Sequence, residues 1–126
     1  SNTVNSYQTS IGFYTTAETY AGSNGLSMRM DGLEYCNSKA RLRDIVVHKA
    51  DYVSHDFIKE HGRLGRSFGC PALPIDGYEK IITKIKNGSC FFIYYPDKKY
   101  LSHSKILKKG EELSITDKEL PSETSF

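Results

Sequence analysis

Residues 44–48 read DIVVH, a run of β-branched aliphatic residues between two polar ones. A short apolar run of this kind is typical of a strand that is buried in a sheet. The run ends at His48, so the strand carries an imidazole side chain at its tip. We therefore predict a buried strand over residues 44–48 and treat His48 as a candidate functional residue.

The sequence on both sides of this strand predicts a mainly β (α+β) fold: a single domain with a mixed, β-sandwich-like sheet and one or two helices. Residues 1–10 are polar and are predicted to be irregular. Segments with alternating apolar residues, or with many β-branched and aromatic residues, predict strands at 11–16, 26–30, 89–95 and 100–107. Residues 89–95 are predicted to be a central strand, and residues 96–99 a turn.

The strongest helical pattern lies in the second half of the chain. Five apolar residues share one helical face there: Ile75, Tyr78, Ile81, Ile82 and Ile85. Asp76 and Glu79 have the spacing of a capping box, and an Asn-Gly pair at 87–88 is a typical helix end. Two shorter helices are predicted elsewhere, at 38–43 with Asn37 as its cap and at 55–61.

Chain length and composition restrict the class of protein. With 126 residues the chain has room for one core, and we predict one domain over residues 1–120 with a flexible tail over 121–126. Seventeen Lys and Arg residues against fifteen Asp and Glu give a net charge of +2, too balanced to favour a nucleic-acid partner. No apolar run approaches the ~20 residues of a membrane-spanning helix, so we predict no membrane span.

Residues 65–74 read GRSFGCPALP, a loop in which Cys70 stands between a glycine and a proline. A free cysteine is most often a small buried residue, so four interpretations are open: core residue, disulfide half, metal ligand or nucleophile. A nucleophilic thiol, with an ordinary pKa of ~8.5, needs a neighbouring base, which His48 would supply. The backbone N–H groups of Gly69 and Cys70 would then stabilise a developing oxyanion.

The other histidines and cysteines provide alternatives to the nucleophile. A loose zinc set is formed by four residues: His48, His55, His61 and Cys70. No two histidines are four residues apart and no Cys-x-x-Cys is present, so the zinc signal is weak. His55 and His61 are predicted to lie on the surface of a short helix. Cys36 and Cys90 are predicted core residues, which an oxidising compartment would allow to pair.

Several motifs occur together in an order that resembles the murein L,D-transpeptidase catalytic domain, a branch of the YkuD-type L,D-transpeptidases. These motifs are GLE, R-x-IVVH, GRSFGCPAL and YYPD, and the similarity extends over about residues 4–102. The resemblance implies that His48 is the general base and Cys70 the acylated nucleophile. It also implies that the backbone carbonyl of Lys49 orients the imidazole.

Two residues of the Cys70 loop depart from the family's motif. Phe68 stands where a histidine is usual, and Ala72 stands where an asparagine or arginine is usual. Because neither side chain binds a carboxylate, we predict that Arg63 and Arg66 bind the carboxylates of the substrate. For each arginine the alternative of a solvated loop charge stays open. Ser67, which matches the motif, and Phe68 are also predicted to contact the substrate.

The resemblance implies a reaction on peptidoglycan stem peptides. Cys70 attacks the bond between the third residue of a tetrapeptide stem and its terminal D-Ala, and D-Ala leaves. The thioester is resolved by an amine, which forms a cross-link, or by water, which is L,D-carboxypeptidase activity. No cofactor or metal is implied, carbapenems are expected to acylate the thiol, and a monomer in the periplasm or outside the cell is favoured.

Two other functions stay open at this point, a catalytically silent cell-wall-binding module and, less favoured, a zinc-dependent peptidase. The chain begins Ser-Asn-Thr without a methionine, which indicates a processed or trimmed chain. The resemblance implies strands upstream of this point, which leaves open whether the sheet is complete in this sequence.

Overall fold

The computed structural model describes residues 1–119, with side chains as far as residue 114. The chain divides into two compact units, Ser1–Tyr95 and the segment that begins at Pro96. Every predicted site residue belongs to the first unit. The predicted flexible tail over 121–126 lies outside the described residues, and the single domain over 1–120 stays a prediction.

The first unit is built on one five-stranded sheet. Its strands are β1 (Gly12–Gly22), β2 (Gly25–Gly32), β3 (Val46–Lys49), β4 (Ala72–Leu73) and β5 (Cys90–Ile93). They lie in the order β4-β3-β2-β1-β5, and each neighbouring pair is antiparallel except β3 and β4, which are parallel. The predicted mainly β (α+β) class with a mixed sheet is therefore confirmed.

The hydrophobic core lies on one face of this sheet, against a helix over Tyr78–Ile85. Its largest buried side chains come from three strands and that helix: Tyr14, Met28, Met30, Val47, Tyr78 and Ile82. Successive strand residues point to opposite faces, so Val47 on the core face puts Val46 and His48 on the other face. The core therefore anchors β3 and leaves His48 on the opposite face of the sheet.

Two helices of the first unit lie where the sequence predicted them, but the N-terminal cap of one of them differs from the prediction. Helix α1 spans His55–His61, as predicted, and the Ser54 side chain caps its first turn. Helix α2 spans Tyr78–Ile85, and its N-cap is Gly77 with φ +79°, which has no side chain to accept a hydrogen bond. The predicted capping box of Asp76 and Glu79 is therefore wrong.

The predicted helix over residues 38–43 is also wrong, because these residues form turns. The helical piece precedes them as a short 3-10 helix, Tyr35–Asn37. The buried Asn37 side chain accepts from the Glu34 N–H at 2.9 Å and donates to the Phe13 carbonyl oxygen at 2.8 Å. Because its amide is committed to these two bonds, Asn37 does not cap the residues that follow.

Two predictions near the C-terminal end of the chain need correction. In the described sheet β5 pairs with β1 alone, so it is an edge strand rather than the predicted central strand. Residues predicted as a turn and a strand over 96–107 are largely helical, with α3 at Lys98–His103 and α4 at Lys105–Glu119. Asp97 caps α3, because its carboxylate accepts from the Tyr100 N–H at 2.7 Å.

Candidate active site

β3 presents His48 next to its C-terminal end. The residue is 8% exposed, and its Nδ1 lies 2.7 Å from the backbone carbonyl oxygen of Lys49. A carbonyl oxygen only accepts hydrogen bonds, so Nδ1 is the donor in this contact, and the neutral ring has its lone pair on Nε2. The contact with the Lys49 carbonyl that the resemblance implies is present, and it holds the imidazole in the tautomer that is basic at Nε2.

The two-residue strand β4 brings the Cys70 loop to His48. The sequence predicted only a loop here. The His48 N–H donates to the Pro71 carbonyl oxygen at 3.2 Å, and the parallel pairing places His48 opposite Ala72. Cys70, two residues earlier, is therefore level with Val46 at the start of β3. The pairing of β3 with β4 is what unites two residues that are 22 positions apart.

His48 and Cys70 line one cavity of about 640 Å³. The Cys70 Sγ lies 3.5 Å from the backbone carbonyl oxygen of Asp44. Within the described residues, no hydrogen bond joins the thiol to the His48 imidazole.

Burial raises the pKa of the Cys70 thiol above its ordinary value, and the Asp44 carboxylate raises it further. The Val46 backbone N–H and the Arg43 guanidinium act in the opposite direction, but they offset the burial only in part. A thiol with a raised pKa is protonated at neutral pH, and a neutral thiol is a poor nucleophile. A nucleophilic role for Cys70 would therefore require a base that removes its proton.

The turn that precedes Cys70 has a fixed shape. Gly69 has a φ of +98°, a conformation that favours glycine. The Ser67 hydroxyl donates to the Cys70 carbonyl oxygen at 2.5 Å and closes the turn. Among the described residues, neither the Gly69 N–H nor the Cys70 N–H has a hydrogen-bond acceptor. Of these two residues Cys70 lines the cavity, whereas Gly69 is buried against the Gln8 backbone.

The two predicted carboxylate-binding arginines occupy different places. Arg66 lines the cavity, whereas Arg63 lies outside its lining and donates from Nη1 to the Leu64 carbonyl oxygen at 2.9 Å. Phe68 also lines the cavity; it is 79% exposed and packs against Tyr7, with the ring centroids 5.1 Å apart. The structure therefore brings Arg66 and Phe68 to the cavity and leaves Arg63 on the loop surface.

Two tyrosines line the cavity without having been predicted from the sequence. The Tyr52 ring packs against Gly65, where a Cβ atom would lie 2.2 Å from the Tyr52 Cβ. Burial raises the pKa of Tyr52, and the nearby Cys70 raises it further. On β1, Tyr20 lies under the Arg29 guanidinium, 4.5 Å from the ring centroid. Both tyrosines reach the cavity through tertiary packing, which no spacing in the sequence signals.

Of the other interpretations of Cys70, the core residue keeps support, because Cys70 is partly buried and packs against the core cluster. In the part of the chain that the structure describes, no three His, Cys, Asp or Glu side chains are placed to hold a metal ion. His55 and His61 are exposed, as predicted. All three cysteines are free thiols, and Cys36 is partly buried. Cys90 is exposed rather than in the core, because it points outward from the edge strand β5.

The match to a known family covers this cavity. The family model of the L,D-transpeptidase catalytic domain (YkuD_2) matches residues 1–94, which is about three quarters of the chain and includes His48 and Cys70. The chain belongs to the L,D-transpeptidase family. L,D-transpeptidases act on peptidoglycan, as transpeptidases or carboxypeptidases. No curated protein and no solved structure matches this L,D-transpeptidase chain. None of its described helices is both long and apolar enough to span a bilayer.

Proposed function

We propose that this chain is a cysteine L,D-transpeptidase in which Cys70 is the nucleophile and His48 the general base. The observation that carries the proposal is their common cavity, where the Lys49 carbonyl occupies His48 Nδ1 and leaves Nε2 as the basic atom. Because burial raises the pKa of the thiol, the proposed nucleophile requires a base, and His48 is the base that shares its cavity.

The first half of the proposed reaction is acylation by a peptidoglycan tetrapeptide stem. His48 Nε2 takes the thiol proton as Sγ attacks the carbonyl carbon of the third stem residue, a meso-diaminopimelate in Gram-negative walls. The oxyanion accepts hydrogen bonds from the N–H groups of Gly69 and Cys70. The amide bond to D-Ala then breaks, the His48 imidazolium protonates the leaving amine, and a thioester remains on Cys70.

The second half of the reaction regenerates the thiol. An amine of a second stem, or water, attacks the thioester carbonyl while His48 removes a proton from the attacking group. The bond to sulfur breaks, and Cys70 recovers its proton from the imidazolium. An amine gives a cross-link between two stems, and water gives a shortened stem. Muropeptide profiling of sacculi treated with the enzyme separates these two products.

Binding of the stem is proposed to depend on the cavity wall. The Arg66 guanidinium is the favoured partner for a substrate carboxylate, because it lines the cavity and offers paired donors. Phe68 provides an exposed aromatic surface beside the nucleophile, and Ser67 acts by holding the turn at Cys70. Arg63 is the weaker candidate. Because the substrate is the cell wall, we place the enzyme in the periplasm or outside the cell.

The test is acylation by a carbapenem, whose strained lactam carbonyl is attacked as the stem carbonyl would be. We expect one covalent adduct in the intact mass, mapped to Cys70, which is absent in Cys70→Ala. His48→Ala should slow the adduct at least ~10²-fold, as expected for loss of a general base. Cys36 and Cys90 serve as internal controls, because they lack the cavity and should stay unmodified.

The same experiment distinguishes the silent wall-binding module. A folded sample with reduced thiols that forms no adduct over hours, but still binds sacculi, would support the module and overturn the catalytic proposal. An adduct that forms equally fast in His48→Ala would leave Cys70 as a nucleophile and remove His48 as its base.

A further inference from the structure

Arg43 belongs to the R-x-IVVH motif, yet the proposed reaction makes no use of it. Its guanidinium lies against residues 1–10, which we call the N-terminal segment. It donates four hydrogen bonds to this segment: to the Ser10 hydroxyl at 2.9 Å, the Ser6 hydroxyl at 3.0 Å, the Gln8 carbonyl at 2.7 Å and the Ser1 carbonyl. Such a set of donors in one plane is a property of arginine and not of lysine.

The N-terminal segment in turn packs against the Cys70 loop at two points. A Cβ atom at Gly69 would lie 3.0 Å from the carbonyl carbon and oxygen of Gln8, so the two backbones are in close contact. One residue away, the ring of Tyr7 packs on Phe68. The N-terminal segment therefore supports the Cys70 loop at two neighbouring residues, Gly69 and Phe68.

The N-terminal segment contains no helix or strand within the described residues. A segment without its own ladder of backbone hydrogen bonds is ordered mainly by its tertiary contacts, and it opens at low cost when these are removed. The four bonds from Arg43 are the densest set of such contacts along residues 1–10. The same positive charge also favours the thiolate of Cys70, although burial dominates there.

We propose that Arg43 is a positioning residue for the nucleophile: it fixes the N-terminal segment, and the segment fixes the Gly69 backbone and the Phe68 ring beside Cys70. This inference rests on the proposed function for its consequence in catalysis. The contacts themselves are tested independently of activity.

The first measurement is hydrogen exchange followed by mass spectrometry, on Arg43→Gln and on Arg41→Gln as the matched control. Arg41 lies two residues earlier in the same turn, but it binds Glu18 and Asp31 instead of the N-terminal segment. We expect at least ~10-fold faster exchange in Arg43→Gln at Ser6, whose N–H donates to the Thr3 carbonyl oxygen, and at the buried Gly69. Exchange in those residues should be unchanged in Arg41→Gln.

The second measurement is carbapenem acylation with its rate constant and half-saturating concentration determined separately. A displaced nucleophile loses rate more than binding, so Arg43→Gln should lower the acylation rate constant ~10²-fold and change the half-saturating concentration little. Arg43→Lys keeps the charge and some of the donors and should recover part of the rate. Arg41→Gln should acylate like the wild type.

The outcomes separate the inference from the proposed function. A wild type that is never acylated refutes the proposed function, while the exchange experiment still reports on the Arg43 contacts. Unchanged exchange in Arg43→Gln, or faster exchange with a normal acylation rate, overturns the positioning role. Should Arg43→Gln fail to fold, the double variant of Ser6→Ala and Ser10→Ala removes two acceptors; the same changes are expected at smaller size, and their absence counts against the proposal.

Discussion

Replacing Gly69 with alanine tests how closely the Cys70 loop depends on its backbone shape. A φ of +98° is strained for any residue with a Cβ atom, at a cost of about 1–3 kcal/mol. In addition the new Cβ would lie 3.0 Å from the Gln8 carbonyl carbon and oxygen, which are backbone atoms and yield only if a chain segment shifts. We expect lower stability and a displaced Cys70, the latter costing ~10²-fold in acylation rate.

Gly88→Ala is the matched control for this prediction. Gly88 has a φ of +114°, but nothing lies within 4 Å of the position that a Cβ atom would take there, so the variant carries the backbone strain without the collision. In thermal denaturation both variants should lose stability, with each kcal/mol lowering the Tm by roughly 4–8 °C for a unit of this size. Carbapenem acylation, measured well below either Tm, should be slow in Gly69→Ala alone. Equal acylation rates in the two variants would refute the link between this turn and the nucleophile.

Three further predictions follow from the described contacts. Ile82→Ala removes a fully buried side chain and should lower the free energy of unfolding by about 2–5 kcal/mol in urea denaturation; a loss below that would contradict its place in the core. Arg66→Lys should raise KM for a stem peptide while Arg63→Lys leaves it unchanged, since only Arg66 lines the cavity. The hydrogen bond from Arg41 lowers the pKa of Glu18 from 4.5 to about 2, so the ionised carboxylate stabilises the fold above pH 4.5 and this is lost as the pH falls toward 2. Urea titrations across that range should show a steeper loss in wild type than in Arg41→Gln, and parallel curves would speak against the pair.

The parts of the fold that were predictable from the sequence are those set within one short segment. The apolar run before His48 is enough to predict β3, and the polar residues around 55–61 are enough to predict α1, because burial and capping act locally. The edge position of β5 was not predictable, since strand order depends on pairing between distant segments. The sequence around Asp97 did not distinguish a turn from the start of α3, because an aspartate after a proline starts a turn as readily as it caps a helix.

The distinction between local patterns and contacts of distant segments also explains which residues of the candidate site could be predicted from the sequence. A histidine at a strand tip and a cysteine behind a glycine are local patterns, and they identified both proposed catalytic residues. The sequence showed Arg43 only as part of the R-x-IVVH motif. Its contacts with the N-terminal segment could not be predicted, because its four acceptors lie 33 to 42 residues earlier in the chain. The Phe68 ring packs on Tyr7 of the segment held by Arg43. Tyr7 and Phe68 therefore connect the N-terminal segment to the cavity that Cys70 lines, as an aromatic wall on one side of it.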